Sequence, residues 1–111
     1  MRPSLIIAAM PRVFLIGLDG FEPSLAERWM AEGRLPHLDR LRRRGAYLRC
    51  RSTVPHATFP AWTTCVTGVN PGRHGILDFT EVVPGEQRVR FINSTFRDAP
   101  AIWNVLSRAG K

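Results

Sequence analysis

Along the chain, apolar and polar positions fall into short blocks whose spacing switches between strand-like and helical. Residues 13–18 (VFLIGL) form a nearly continuous apolar run that ends at Asp19 and Gly20. A short run rich in branched residues and closed by turn chemistry reads as a buried parallel strand. Leu25, Ala26, Trp29 and Met30 then recur at helical spacing, with Pro23 near the start and Gly33 near the end. A second helix is expected from Pro36, carrying Leu38 and Leu41 inward and an Arg cluster outward, and stopping at Gly45. Residues 46–51 alternate like a strand. Residues 58–67 predict a third helix. Pro60 suits its first turn, Trp62, Val66 and Val69 share a face with Cys65 beside them, and Gly68 closes it. Asn70, Pro71 and Gly72 are turn chemistry. Residues 76–83 and 88–92 read as two strands joined through Pro84 and Gly85. A last helix is expected from Asp98 as its N-cap, with Pro100 in the first turn. Ile102, Val105, Leu106 and Ala109 form its buried stripe, and Gly110 its C-cap.

This succession of strands and helices belongs to the α/β class. It predicts a parallel sheet in which residues 13–18 and 46–51 lie together, with Asp19 and Thr58 converging at the carboxyl edge. A chain of 111 residues suffices for one core, burying roughly two-thirds of the unfolded surface. The pattern stops just after a helix C-cap, where another strand is expected. Residues 12–111 therefore read as the N-terminal portion of one larger domain, truncated at its C-terminus. Residues 1–11 read as a leader or a start assigned too early, with Met10 as the true start. The apolar run at 5–10 is shorter than a signal-peptide core of about 7–15 residues and far shorter than a membrane span. The expected location is cytoplasmic, with no membrane partner.

An apolar fraction of 44% with 23% charged residues is that of a globular protein, and it excludes a disordered or low-complexity chain. The formal charge is +7, and every basic residue except Lys111 is Arg. Such charge mostly sits on solvated faces; the alternative is an anionic partner, either a phosphate-bearing substrate or nucleic acid. The densest cluster, Arg40, Arg42, Arg43 and Arg44, lacks interleaved aromatics, which weakens a single-strand-binding reading. Cys50 and Cys65 make no metal motif. Two isolated thiols without an export signal are expected to be reduced and packed, with a disulfide as the alternative.

Asp19 directly follows an expected strand, and ligands of open α/β sheets bind at strand carboxyl ends. A carboxylate there, beside a flexible Gly, can reach a divalent cation; the alternative is an Asp capping a turn. Thr58 begins the expected third helix. A hydroxyl there faces unpaired N–H groups and the positive end of the helix dipole, which favour an alkoxide or a phosphate. Its alternative is a plain Thr N-cap. His56 is a candidate general base, His74 reads as structural, and His37 and Arg73 as solvated.

Read together, VFLIGLDGFEP and TFPAWTTCVTGVNPGRHGILDF resemble the type I phosphodiesterase and nucleotide pyrophosphatase group of the alkaline phosphatase superfamily. The resemblance runs from about Arg12 to Phe79 and more loosely to Gly110. It implies an alkaline-phosphatase-like parallel-sheet sandwich, of which this is an incomplete N-terminal part. It implies a metal ligand at Asp19 and, at Thr58, a nucleophile that also contacts metal. It further implies two divalent ions, zinc by preference, around a phosphate-ester substrate, with a phospho-threonine intermediate that water releases. The other ligands of that family come from later in the chain, in the missing C-terminal portion of the same fold. Ala57, Ala61 with Trp62, and Asp78 with Phe79 depart from the Lys, Asn-His and Asn that many nucleotide pyrophosphatases carry there; these departures bear on nucleotide specificity. The chain is accordingly expected to be inactive alone. The rival readings are a small basic nucleic-acid-binding module without catalysis and a non-functional truncated product.

Overall fold

The computed structural model describes residues 13–111; the expected leader at 1–11 lies outside the described residues. The chain divides into two compact units, Met1–Arg44 and Gly45–Lys111.

The first unit is a helix pair, α1 (Pro23–Ala31) and α2 (Pro36–Arg44). Glu22 starts α1 by accepting the N–H groups of Ser24 and Leu25, at 3.1 and 2.6 Å, ahead of a Pro whose fixed φ suits a first turn. Ala26 and Met30 are buried, as the helical spacing requires. Gly33, at φ +73°, takes the left-handed conformation that turns the chain toward α2. On α2 the expected inward pair does not hold: Leu38 is half-buried, but Leu41 is exposed. No residue of this helix is buried, so its apolar stripe is only partly covered.

The second unit opens in extended chain and continues through α3 (Thr58–Thr67), α4 (Pro71–His74), β1 (Thr80–Val82), β2 (Val89–Phe91), a 3-10 turn at Ser94–Phe96 and α5 (Ile102–Arg108). α3 has the expected limits, with Pro60 buried in its first turn and Gly68 at φ 72° closing it. Asn70 does more than make a turn: its side chain accepts the Arg73 N–H at 3.1 Å and caps α4. β1 and β2 pair antiparallel, with Thr80 opposite Phe91, Glu81 opposite Arg90 and Val82 opposite Val89. Arg90 and Glu81 form an ion pair across this ladder, the favourable arrangement of opposite charges on facing strands.

Three expectations are corrected here. Residues 13–18 and 46–51 are not strands and share no sheet. Val13, Phe14, Leu15 and Ile16 are exposed. A strand exists only through ladder bonds to a neighbour, and among the described residues neither segment has one; the sheet there is the β1–β2 pair. The last helix begins at Ile102, with Ala101 as its N-cap in place of Asp98. The Asn104 side chain accepts the Ala101 N–H at 2.9 Å and so fixes that later start. Its apolar stripe is not buried, since Ile102, Val105 and Leu106 are exposed and no described element covers them. Finally, Cys50 and Cys65 are free but exposed rather than packed. Helices combined with a small sheet keep the chain in the α/β class.

Candidate functional site

Thr58 is the first residue of α3, half-buried, and it is not the cap. Ala57 holds the N-cap position with extended dihedrals (φ −141°, ψ 164°) and no side-chain cap bond. The first intrahelical bond, Ala61 N–H to the Ala57 carbonyl at 3.1 Å, therefore forms without help from a hydroxyl. Pro60 brings no N–H to this turn. The N–H groups of Thr58 and Phe59 are left at the positive end of the helix dipole. Thr58 is thus not the N-cap, and no side chain caps this helix start.

The rest of the helix is held from one side by His74. This residue is fully buried. The Ile76 N–H donates to its Nδ1 at 3.1 Å, so Nδ1 carries no proton and Nε2 does. Nε2 lies 2.9 Å from Thr64 Oγ1, and the Pro60 carbonyl also accepts from the ring. Burial holds the His74 pKa below the ordinary histidine value, and the Pro60 carbonyl opposes that only in part. The backbone carbonyl of His74 accepts the Asp98 N–H at 3.1 Å. The neutral imidazole thus ties α4 to α3, and the backbone of the same residue ties α4 to the segment leading to α5. The structural reading of His74 holds, and Thr64 is the partner that sequence spacing gave no means of finding.

Phe59, next to Thr58, packs its ring against Phe79, with centroids 4.3 Å apart. Beyond them an open apolar cleft of about 630 Å³ runs along α3, lined by Phe59, Trp62, Thr63, Val66, Ile92 and Trp103. Asn93 and Arg97 add polar groups to its rim. Asn93 had a legible signal, a capping residue ahead of Ser94 and Thr95; its side chain accepts the Thr95 N–H at 2.9 Å.

Asp19 lies in the first unit, exposed, in the turn with Gly20 that precedes α1. Thr58 lies in the second unit. His56 is exposed in the segment before α3, and Arg73 is exposed on α4. Among the described residues no group of three His, Cys, Asp or Glu side chains could hold a metal ion. The described donors do not by themselves make up a site for a divalent ion.

The Arg cluster on α2 is largely engaged at home. Asp39 receives Arg42 at 2.8 Å and Arg43 at 2.7 Å, and these bonds hold its carboxyl below the ordinary value. Arg40 meets His37 Nδ1 at 2.7 Å. Two of the four guanidinium groups thus share the single carboxylate of Asp39.

Thr58 thus stands at a helix start without a side-chain cap, on a helix bonded to a buried histidine. Comparison with known proteins defines the class. Residues 13–111 match the type I phosphodiesterase / nucleotide pyrophosphatase family, and the chain belongs to it. It is 30% identical over 95 residues to ectonucleotide pyrophosphatase/phosphodiesterase family member 3 of Bos taurus, covering 85% of this chain and 11% of that protein. It is 38% identical over 69 residues to family member 1 of Homo sapiens, covering 61% of this chain and 7% of that protein. A venom phosphodiesterase of Macrovipera lebetinus is 33% identical over 67 residues, covering 60% and 8%. The chain thus spans about a tenth of the length of these relatives. No solved structure gives a significant match.

Proposed function

We propose that this chain is the nucleophile-bearing N-terminal part of a phosphodiesterase or phosphatase of that family, with the parallel-sheet sandwich completed by sequence outside these 111 residues. Thr58 is the nucleophile. Its hydroxyl oxygen attacks phosphorus and gives up its proton, the bond from phosphorus to the leaving alkoxide breaks, and the alkoxide takes up one proton, so that the alcohol leaves with no net change in protons. Water then attacks the phospho-threonine and regenerates the hydroxyl. The N–H groups at the start of α3 face the phosphoryl oxygens. The observation that carries this reading is the position of Thr58 at the first turn of α3, with the cap role taken by Ala57, in a chain matched to the family along residues 13–111.

Two divalent ions, zinc by preference, belong to the same proposal for the longer protein, and Asp19 and Thr58 are the two positions of this chain assigned to them. The apolar cleft beside α3 favours a substrate with an apolar or aromatic ester group. Aryl phosphodiester turnover by the longer protein tests the reading. Thr58→Ala is expected to reduce kcat at least about 10³-fold, as loss of a covalent nucleophile does, while Cys65→Ser leaves activity measurable. Turnover by Thr58→Ala at the parent rate would remove Thr58 from the mechanism.

A further inference from the structure

His74 lies 16 positions after the proposed nucleophile and contributes nothing that a reacting phosphate could touch, since its ring is fully buried. Both ring nitrogens are nevertheless committed. Nδ1 accepts the Ile76 N–H at 3.1 Å. Nε2 reaches α3, where it meets Thr64 Oγ1 at 2.9 Å and the Pro60 carbonyl. Pro60 is two residues past Thr58 and is itself buried in the first turn. At that position an N–H would have no intrahelical partner in any case, and the helix start has no side-chain cap. The imidazole supplies from outside a hold that no capping side chain gives from within.

We propose that His74 is the positioning residue for Thr58: through Pro60 and Thr64 it fixes where the first turn of α3, and so the nucleophilic oxygen, sits. The proposal rests on the reading of Thr58 as nucleophile. Displacement of a reacting group by about 1 Å can cost about 10²-fold in rate. Ground-state substrate binding draws on other contacts and responds less. Loss of the hold therefore lowers kcat and leaves KM nearly in place.

The experiment uses the longer protein and compares His74→Phe, His74→Gln and Thr64→Val with Thr58→Ala on an aryl phosphodiester. His74→Phe keeps a ring in the buried site and removes all of its hydrogen bonds; kcat is expected to fall about 10²-fold with KM within about threefold. His74→Gln returns a donor toward Thr64 and recovers part of kcat. Thr64→Val removes one acceptor while Pro60 remains, and falls between His74→Phe and the parent. Nitrogen-15 shifts of the His74 ring supply a readout independent of activity: a neutral ring protonated on Nε2 at pH 7 is expected. A ring protonated on Nδ1 or on both nitrogens overturns the proposal. So does an unchanged kcat in a folded His74→Phe or, should that variant fail to fold, in Thr64→Val. If Thr58→Ala itself retains turnover, the nucleophile reading falls; if Thr58→Ala is dead and a folded His74→Phe keeps the parent kcat, only the positioning role falls.

Discussion

Thr58 and Thr64 lie on one helix and are held by different means. Thr64 is tied to a buried ring at 2.9 Å, whereas Thr58 stands at the helix start with Ala57 as the cap. Position alone favours a plain cap at Thr58 and the family resemblance a nucleophile; the cap reading misses by one residue, because a cap is decided by backbone dihedrals that here fall at Ala57. His74 offers a prediction in pH. Its folded pKa is held below the ordinary value of 6.5 by burial, so the unfolded chain binds more protons in that range. The stability from burying neutral His74 is fully present above pH 6.5 and is lost as pH falls through the lower folded value. Urea midpoints of the second unit should therefore drop from pH 7.5 to pH 5, and His74→Gln should flatten that slope while lowering the plateau. An equal slope in the variant would assign the pH dependence to other groups.

Helical elements were the most legible, since periodicity, Pro and Gly all act locally. α3 has the limits expected from Pro60 and Gly68. Where a single side chain decides a boundary, the reading slipped: Asn104 reaches back to Ala101 and sets the start of α5 past Asp98. Asn70 was read as turn chemistry and is the cap of α4. Asn70→Ala should cost about 1 kcal/mol, the usual value of a lost N-cap, measured by urea unfolding; a change below about 0.3 kcal/mol would mean that α4 is held by His74 rather than by its cap. Strands were read least well because an apolar run reports a wish for burial and says nothing of the partner. Residues 13–18 satisfy the pattern yet lie exposed. Hydrogen exchange should follow this difference: amides of residues 13–18 exchange at rates near those of free chain, while Ala61 and Gly68, bonded within α3 at 3.1 and 2.8 Å, are protected. Strong protection of residues 13–18 in the isolated chain would mean that they pair as first expected.

At the scale of the whole molecule, charge and exposed apolar surface pull in opposite directions. A net charge of +7 favours solubility, yet Phe14, Ile16, Phe91, Trp103 and Val105 are exposed together with many other apolar residues, which favours association. The 111-residue chain should associate more readily as salt screens its charge, take up zinc only weakly, and hydrolyse no activated phosphodiester. A catalytic ion needs about three protein ligands, and the described residues gather no such set. Stoichiometric tight zinc with turnover in the dialysed chain would contradict this. The nucleic-acid reading is tested at the same scale, where Asp39 engages Arg42 and Arg43 of the α2 cluster. Oligonucleotide binding should be weak, without the steep salt dependence of a phosphate-tracking surface.

The central claim is that Thr58 carries the phosphoryl group, and its most direct test is to trap the longer protein during turnover of an aryl phosphodiester and locate the label by mass spectrometry of its peptides. A phosphoryl adduct on Thr58, and no adduct in Thr58→Ala, is the result the account predicts. A label on any other residue, or one that persists in Thr58→Ala, would contradict it.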